Sequence, residues 1–341
     1  MRCSLPLLVL LLPLSLGANR VVEGLPFADP SVGGESSLRA RLLFTSNHLG
    51  EFEPCSCADL PLGGLAQGAG RIEAARQETQ APVLVFDAGD RLFQFDLAAI
   101  SQEEAARRAR AVALVDAGNV VGLDAAGIGG LDLGAGLAYL QKLAVRAAYP
   151  LLSANLRDPQ GQLLFPASTI IARGDLAVGV TSVLPGGLLT DDYQTSDPVA
   201  AARSAVRALR GQGVDLVVLL SNVGLKTDRA LARSSGADVI LGSRSREVLA
   251  EGARVGRTVI AHAGSRGRYL GDVRWYGTGR GRGPHVVATT LPVFADGPVT
   301  SGVALVVAGL LQRLSDPTLG VEPILPGNPA HPSQHPVEEA R

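Results

Sequence analysis

Arg244 and Arg246, separated by one serine in Gly242-Ser243-Arg244-Ser245-Arg246, carry the most distinctive chemistry of this chain. A guanidinium stays protonated and has no lone pair to offer a metal. Its planar fork suits phosphate or carboxylate instead. A second cluster, Glu53-Pro54-Cys55-Ser56-Cys57, sets two thiols one residue apart. Three readings stay open: Cys55 and Cys57 staple their loop as a strained disulfide, form a redox-active or soft-metal pair, or are free thiols with no role. No Cys-x-x-Cys-His is present, so covalent haem attachment is not indicated. Of the five histidines, His285 reads as a strand start, and His331 and His335 fall in a Pro-rich tail where solvation competes with weak metal scavenging. A Ser-His-Asp or Cys-His set can be assembled only by assuming contacts.

The elements that position these groups alternate. The apolar runs Arg41 to Thr45, Val83 to Phe86 and Leu216 to Leu220 predict buried strands, with further strands over Leu176 to Thr181, Thr258 to Ala261, Leu270 to Trp275 and Val286 to Thr290. Glu103 to Ala117, Val199 to Arg210 and Ser301 to Leu314 predict helices. Asp197 caps the second of these, with Pro198 at its first position. Met1-Arg2 followed by Leu5 to Leu16 predicts a signal peptide over 1–18 and export to the periplasm, with an uncleaved anchor as the alternative. Cys3 precedes the apolar run, so the lipoprotein arrangement is not expected. A loose leader over 19–39, one domain over 40–315 and a disordered Pro-rich tail over 316–341 complete the expected organisation.

Composition bounds the function. The 341 residues are 46% hydrophobic, enough for one sizeable core, and the net charge of −1 argues against nucleic acid as a partner. No further stretch is long and apolar enough to span a bilayer. Of the 31 basic residues only Lys142 and Lys226 are lysines. Such an arginine bias suits a GC-rich genome and offers a plain account of Arg244 and Arg246 as drift.

Eight blocks, in order, carry a resemblance. Leu42 to Gly50 is similar to a strand and loop ending T-N-D-x-H-G, and Gly63 to Ile72 to a "GGLAR…I" helix start. Val83 to Asp90 matches "LLLDAGD", Leu123 to Asp132 falls in register with "YDAxxxGNHE", and Leu151 to Asn155 resembles an "LLSAN" strand. Asp197 to Leu225 is similar to "DPVEAA…DxVIxLSHLG", Gly236 through Arg246 to "DVIIGGHSH", and Gly267 to Gly271 to "GKYLG". Together they resemble the calcineurin-like metallophosphoesterases of the periplasmic 5′-nucleotidase type, of which this chain looks like a degenerate N-terminal domain. The resemblance implies an α/β fold, a four-layer α-β-β-α sandwich of two mixed sheets flanked by helices. It also implies a crevice at the carboxyl ends of the strands, to which Cys55 and Cys57 would lie close. Similar proteins that hydrolyse nucleotides stack the base in a second domain, and no carrier of such specificity is visible here.

Family members activate water with two divalent ions about 3.5 to 4 Å apart. Carried over residue by residue, their ligand positions fall on Asn47, Leu49, Asp90, Gly130, Asn222, Arg244 and Arg246, and Leu131 replaces a transition-state histidine. Only Asp90 keeps its residue. Two dications at that spacing repel by roughly 18 kcal/mol at an effective dielectric near 20, which one carboxylate and two amides do not offset. The expectation is therefore a non-catalytic, exported anion-binding or regulatory pseudoenzyme that needs no cofactor. Its ligand site would draw on Asn47, Asp87, Asp90, Asn222, Arg244, Arg246 and His262, the last standing where the family often has Gln. A small anion, a phosphorylated ligand or a protein is the expected partner. His48 reads as a loop residue pointing away from the metal positions. A competing arrangement pairs Asp87 and Asp90 with the arginines and closes the pocket. Two alternatives remain: a residual Mn-, Mg- or Zn-dependent phosphoester hydrolase at Asp90, Asn47 and Asn222, and a redox or soft-metal protein built on Cys55 and Cys57.

Overall fold

The computed structural model describes residues 37–55, 60–94, 101–276 and 285–315, and only the backbone over 101–103. The expected signal peptide, residues 19–36 of the leader, Cys57 and the tail over 316–341 lie outside the described residues. In chain order the elements are β1 (Leu38–Thr45), α1 (Leu65–Gln77), β2 (Val83–Asp87), α2 (Ser101–Val121), β3 (Ala125–Gly127), α3 (Leu137–Arg146), β4 (Leu151–Leu152) and β5 (Leu156–Arg157). There follow β6 (Ser168–Arg173), β7 (Leu176–Val183), β8 (Gln194–Thr195), α4 (Pro198–Gly211), β9 (Leu216–Ser221) and α5 (Leu225–Ser234). The last are β10 (Val239–Gly242), β11 (Ala253–Val255), β12 (Thr258–His262), β13 (Tyr269–Tyr276), β14 (His285–Pro292) and α6 (Ser301–Ser315).

Two six-stranded mixed sheets result, ordered β14-β13-β1-β2-β3-β4 and β11-β12-β10-β9-β7-β6. Strands β1 to β4 of the first and β7, β9, β10 and β12 of the second run parallel to their neighbours, with antiparallel strands at the edges. Parallel strands are buried on both faces, which is why they read as continuous apolar runs. Leu42, Phe44, Leu84 and Phe86 of one sheet meet Val178, Leu216, Val218 and Leu241 of the other in a single core. On the far face of the first sheet, Leu43 and Val85 pack against Ile72 of α1. Val206 and Leu209 of α4 and Leu231 of α5 cover Leu219 and Ile240 on the far face of the second. This is the four-layer sandwich.

Boundaries differ from the sequence reading where polar groups decide them. β1 begins at Leu38, inside the stretch assigned to the leader. α2 runs four residues beyond Ala117, to Val121, where Gly122 adopts a left-handed φ of 71° and returns its N–H to Gly118. The expected Leu151 to Asn155 strand stops at Leu152, because Ser153 N–H turns to Pro166 O and Ala154 N–H to Ser182 O. α4 is capped as read: the Asp197 carboxylate accepts from Ala200 N–H at 2.7 Å, and Pro198 opens the helix. Among the described residues no helix is long and apolar enough to cross a membrane.

Gly271 in β13 lies opposite Phe44 in β1, and a Cβ there would stand 1.9 Å from the Phe44 ring. Gly271→Ala should therefore lower stability by about 1–3 kcal/mol in urea unfolding. An unchanged midpoint would show that the ring can step aside.

Candidate functional site

The carboxyl ends of β1, β2 and β3 meet those of β9, β10 and β12 at one crevice. The loop after β1 folds over the turn after β2, with Asn47 N–H bonded to Gly89 O and Leu49 N–H to Asp90 O, each at 3.0 Å. Five non-glycine residues here hold left-handed backbone: Asn47 (φ 50°), Leu49 (59°), Asp90 (54°), Arg244 (67°) and Arg266 (60°), the last with its N–H on Asn47 O. Each such residue costs about 1 kcal/mol or more, and such conformations persist where surrounding contacts over-determine them.

The amides act as struts. Asn47 Oδ1 accepts from Arg244 N–H at 2.7 Å, and its Nδ2 donates to Gly264 O at 2.8 Å. Asn222 Oδ1 accepts from Gly130 N–H at 2.9 Å, and its Nδ2 donates to Ser243 Oγ at 2.8 Å. Asp90 Oδ1 accepts from Leu131 N–H at 2.9 Å. Burial raises the Asp90 pKa against the opposite pull of Asn222, Leu131 N–H and the Arg244 charge. The oxygens proposed as metal ligands are thus engaged by protein donors. Among the described residues there is no group of three or more His, Cys, Asp or Glu that could hold a metal. One carboxylate, two committed amides and a guanidinium do not fit a two-metal centre.

Other placements differ from the sequence reading. Asp87 is fully buried and turned away from the arginines, accepting from Thr45 Oγ1 at 2.6 Å and Arg91 Nη1 at 2.9 Å. Of the competing arrangement in which Asp87 and Asp90 pair with the arginines, Asp87 therefore turns to Arg91 instead, whereas Asp90 lies in the field of Arg244. Both arginines are exposed, while three nearby acids pair elsewhere: Asp87 with Arg91, Asp228 with His262 and Glu51 with Arg266. Cys55 sits on a stem where Pro54 bridges Gly63 and Leu62 N–H meets Cys55 Sγ at 3.3 Å. Leu62 in turn bridges Phe294, past the end of β14, so the stem is tied there.

Two buried acids beside the crevice were not among the candidate site residues of the sequence reading. Asp132 accepts N–H bonds from Asp90, Leu92 and Gly129 at 3.0, 2.8 and 2.8 Å, fixing the Asp90 turn. Burial, with the Asp90 charge adding, pushes its pKa up to about 7. Its signal was its place at the end of the Gly129-Gly130-Leu131-Asp132 block. Asp228, fully buried in the first turn of α5, accepts from Ser221 Oγ at 2.5 Å and lies 2.7 Å from His262 Nε2. The other nitrogen of His262, Nδ1, stands 3.4 Å from Ser245 Oγ. His262, read as a ligand contact, is itself fully buried behind that serine.

His48 is buried with Nδ1 unpartnered, and desolvation with the Arg91 charge lowers its pKa from 6.5 to about 4. The unfolded chain then takes up a proton that the folded chain refuses. Stability is full above about pH 6.5 and falls, by up to about 3 kcal/mol, as pH drops toward 4. Asp132 acts in the opposite sense: its contribution is full below about pH 4 and is lost as pH rises through 7. His48→Leu should flatten the acid limb of urea midpoint against pH between 6.5 and 4. An acid limb of unchanged slope would remove His48 as its source.

No family model matches the chain. An uncharacterized metallophosphoesterase of Bacillus subtilis, YunD, is 28% identical over 214 residues, 59% of this chain and 44% of the relative. A 2′,3′-cyclic-nucleotide 2′-phosphodiesterase/3′-nucleotidase of Yersinia enterocolitica is 28% identical over 182 residues, 48% of this chain and 28% of that one. The chain thus spans less than half the length of these curated relatives. Among solved structures, the sulfate thiohydrolase SoxB of Thermus thermophilus aligns with a TM-score of 0.69 at 22% identity, over 82% of this chain and 61% of that one. A 5′-nucleotidase precursor from the same organism gives 0.68 at 20% identity, over 81% and 59%. The calcineurin-like phosphoesterase YfkN of Bacillus subtilis gives 0.67 at 18% identity, over 81% and 97%. Two packed mixed sheets whose strand ends meet at one crevice, shared with these structures, give this chain the calcineurin-like metallophosphoesterase fold, with 5′-nucleotidases among its structural neighbours.

Proposed function

We propose that this protein is an exported anion-binding member of the metallophosphoesterase fold that does not use two-metal hydrolysis. Arg244 and Arg246 at the crevice lip take a small oxyanion or a phosphorylated ligand. The observation that carries this reading is the exposure of both guanidiniums at the crevice, with Asp87, Asp228 and Glu51 paired to Arg91, His262 and Arg266. A relative that acts on cyclic nucleotides supports a phosphorylated ligand as the class. The periplasm is the proposed compartment, and a protein partner fits a regulatory role. A second reading, weak metal-dependent phosphoester hydrolysis at Asp90, Asn47 and Asn222, is favoured only by the retained Asp90.

Phosphate binding, followed by calorimetry, should weaken at least about tenfold in the Arg244→Ala/Arg246→Ala double variant, since each charge-assisted bond contributes about 1.5–3 kcal/mol. Unchanged binding would sink the anion site. With Mn²⁺ or Mg²⁺ added, no phosphodiesterase activity above background is expected. Activity abolished by Asp90→Ala would restore the hydrolase.

A further inference from the structure

Ser245, His262 and Asp228 come from three different elements and form a connected array. The Asp228 carboxylate accepts Ser221 O–H on Oδ1 and faces His262 Nε2 across 2.7 Å on Oδ2. An acceptor there fixes the tautomer: Nε2 carries the proton and Nδ1 keeps its lone pair. That lone pair stands 3.4 Å from Ser245 Oγ. Hydrogen bonds of this kind are commonly long before a substrate is in place. The Leu225 N–H, at the start of α5, donates to Ser245 Oγ at 3.1 Å, so the positive end of a ten-residue helix lies at the oxygen. His262 is locked in place, because a Cβ on Gly242 would fall 2.0 Å from its ring. Ser245 itself is half-buried between two exposed arginines. Glu247 competes for the serine hydroxyl as a second hydrogen-bond partner.

We propose that Ser245 is a nucleophile, His262 its general base and Asp228 the positioning residue, in a metal-free esterase site for carboxylic esters that carry an anionic group. The preference for an anionic substrate rests on the anion-site reading, whereas the nucleophile does not. Ser245 Oγ attacks the ester carbonyl carbon as its proton passes to His262 Nδ1. The ester C–O bond breaks, and the alcohol leaves with that proton. Water then loses a proton to His262 and attacks the acyl-serine. The acid departs and Ser245 is regenerated, so that ester and water become acid and alcohol with no further reactant.

The test uses the full mature chain, a neutral alkyl fluorophosphonate and mass spectrometry of the intact protein and its peptides. One adduct on Ser245 is expected, absent in Ser245→Ala, which loses the Leu225 N–H contact and is checked for folding by its thermal melt. Labelling should slow about 100-fold in Asp228→Asn or His262→Gln, checked for folding by the same melt. Glu247→Gln should label at least as fast as the parent. Absence of a Ser245 adduct, or equal labelling rates in folded Asp228→Asn and His262→Gln, would overturn the proposal and leave the array a structural strut. The Arg244→Ala/Arg246→Ala variant should still label, because the probe is neutral. Loss of phosphate binding in that variant and loss of labelling in Ser245→Ala therefore report on the two readings separately.

Discussion

Two sheets can bury their apolar faces anywhere along their strands, but the polar strand ends must be satisfied where the sheets meet. Each buried polar group left without a partner costs about 1–3 kcal/mol. In this protein that seam is closed by Ser243 Oγ donating to Ala88 O at 2.7 Å, by Asn222 across to Gly130, and by Asn47 across to Arg244 and Gly264. These bonds hold the left-handed residues Asn47, Leu49, Asp90 and Arg244 in place. They also consume the oxygens that a metal would need.

Charge is sorted by depth. Asp87 is paired with Arg91, Asp132 accepts from three backbone N–H groups, and Asp228 is hydrogen-bonded to Ser221 and His262. Buried charges are tolerated only with such partners. Asp90 is held by Leu131 N–H within reach of the Arg244 field, while Arg244 and Arg246 stay at the surface. The crevice therefore carries two exposed guanidiniums at its lip and buried, hydrogen-bonded carboxylates below. The arginine loop and the serine facing His262 belong to the same five residues after β10, so anion binding and nucleophilic attack would act on one molecule.

Much of the fold was legible in the sequence. Continuous apolar runs such as Leu216 to Leu220 can only be strands buried on both faces, and Asp197-Pro198 announces a helix start. The strand expected through Asn155 failed because its end is decided by Pro166 and Ser182, distant in sequence and invisible to local pattern.

The site divides along the same line. By itself the sequence determined which residue types stand around the crevice, Asn47, Asp90, Asn222, Arg244 and Arg246, since composition is not altered by packing. Only the tertiary structure decided pairing: that Asp87 turns to Arg91 and not to Arg244, that Asp132 grips the Asp90 turn, and that Ser245, His262 and Asp228 come together. Hydrogen bonds and ion pairs act over a few ångströms, and the partners here are 4, 42, 17 and 34 residues apart along the chain. Such distances are set by how sheets and helices pack, not by the order of residues.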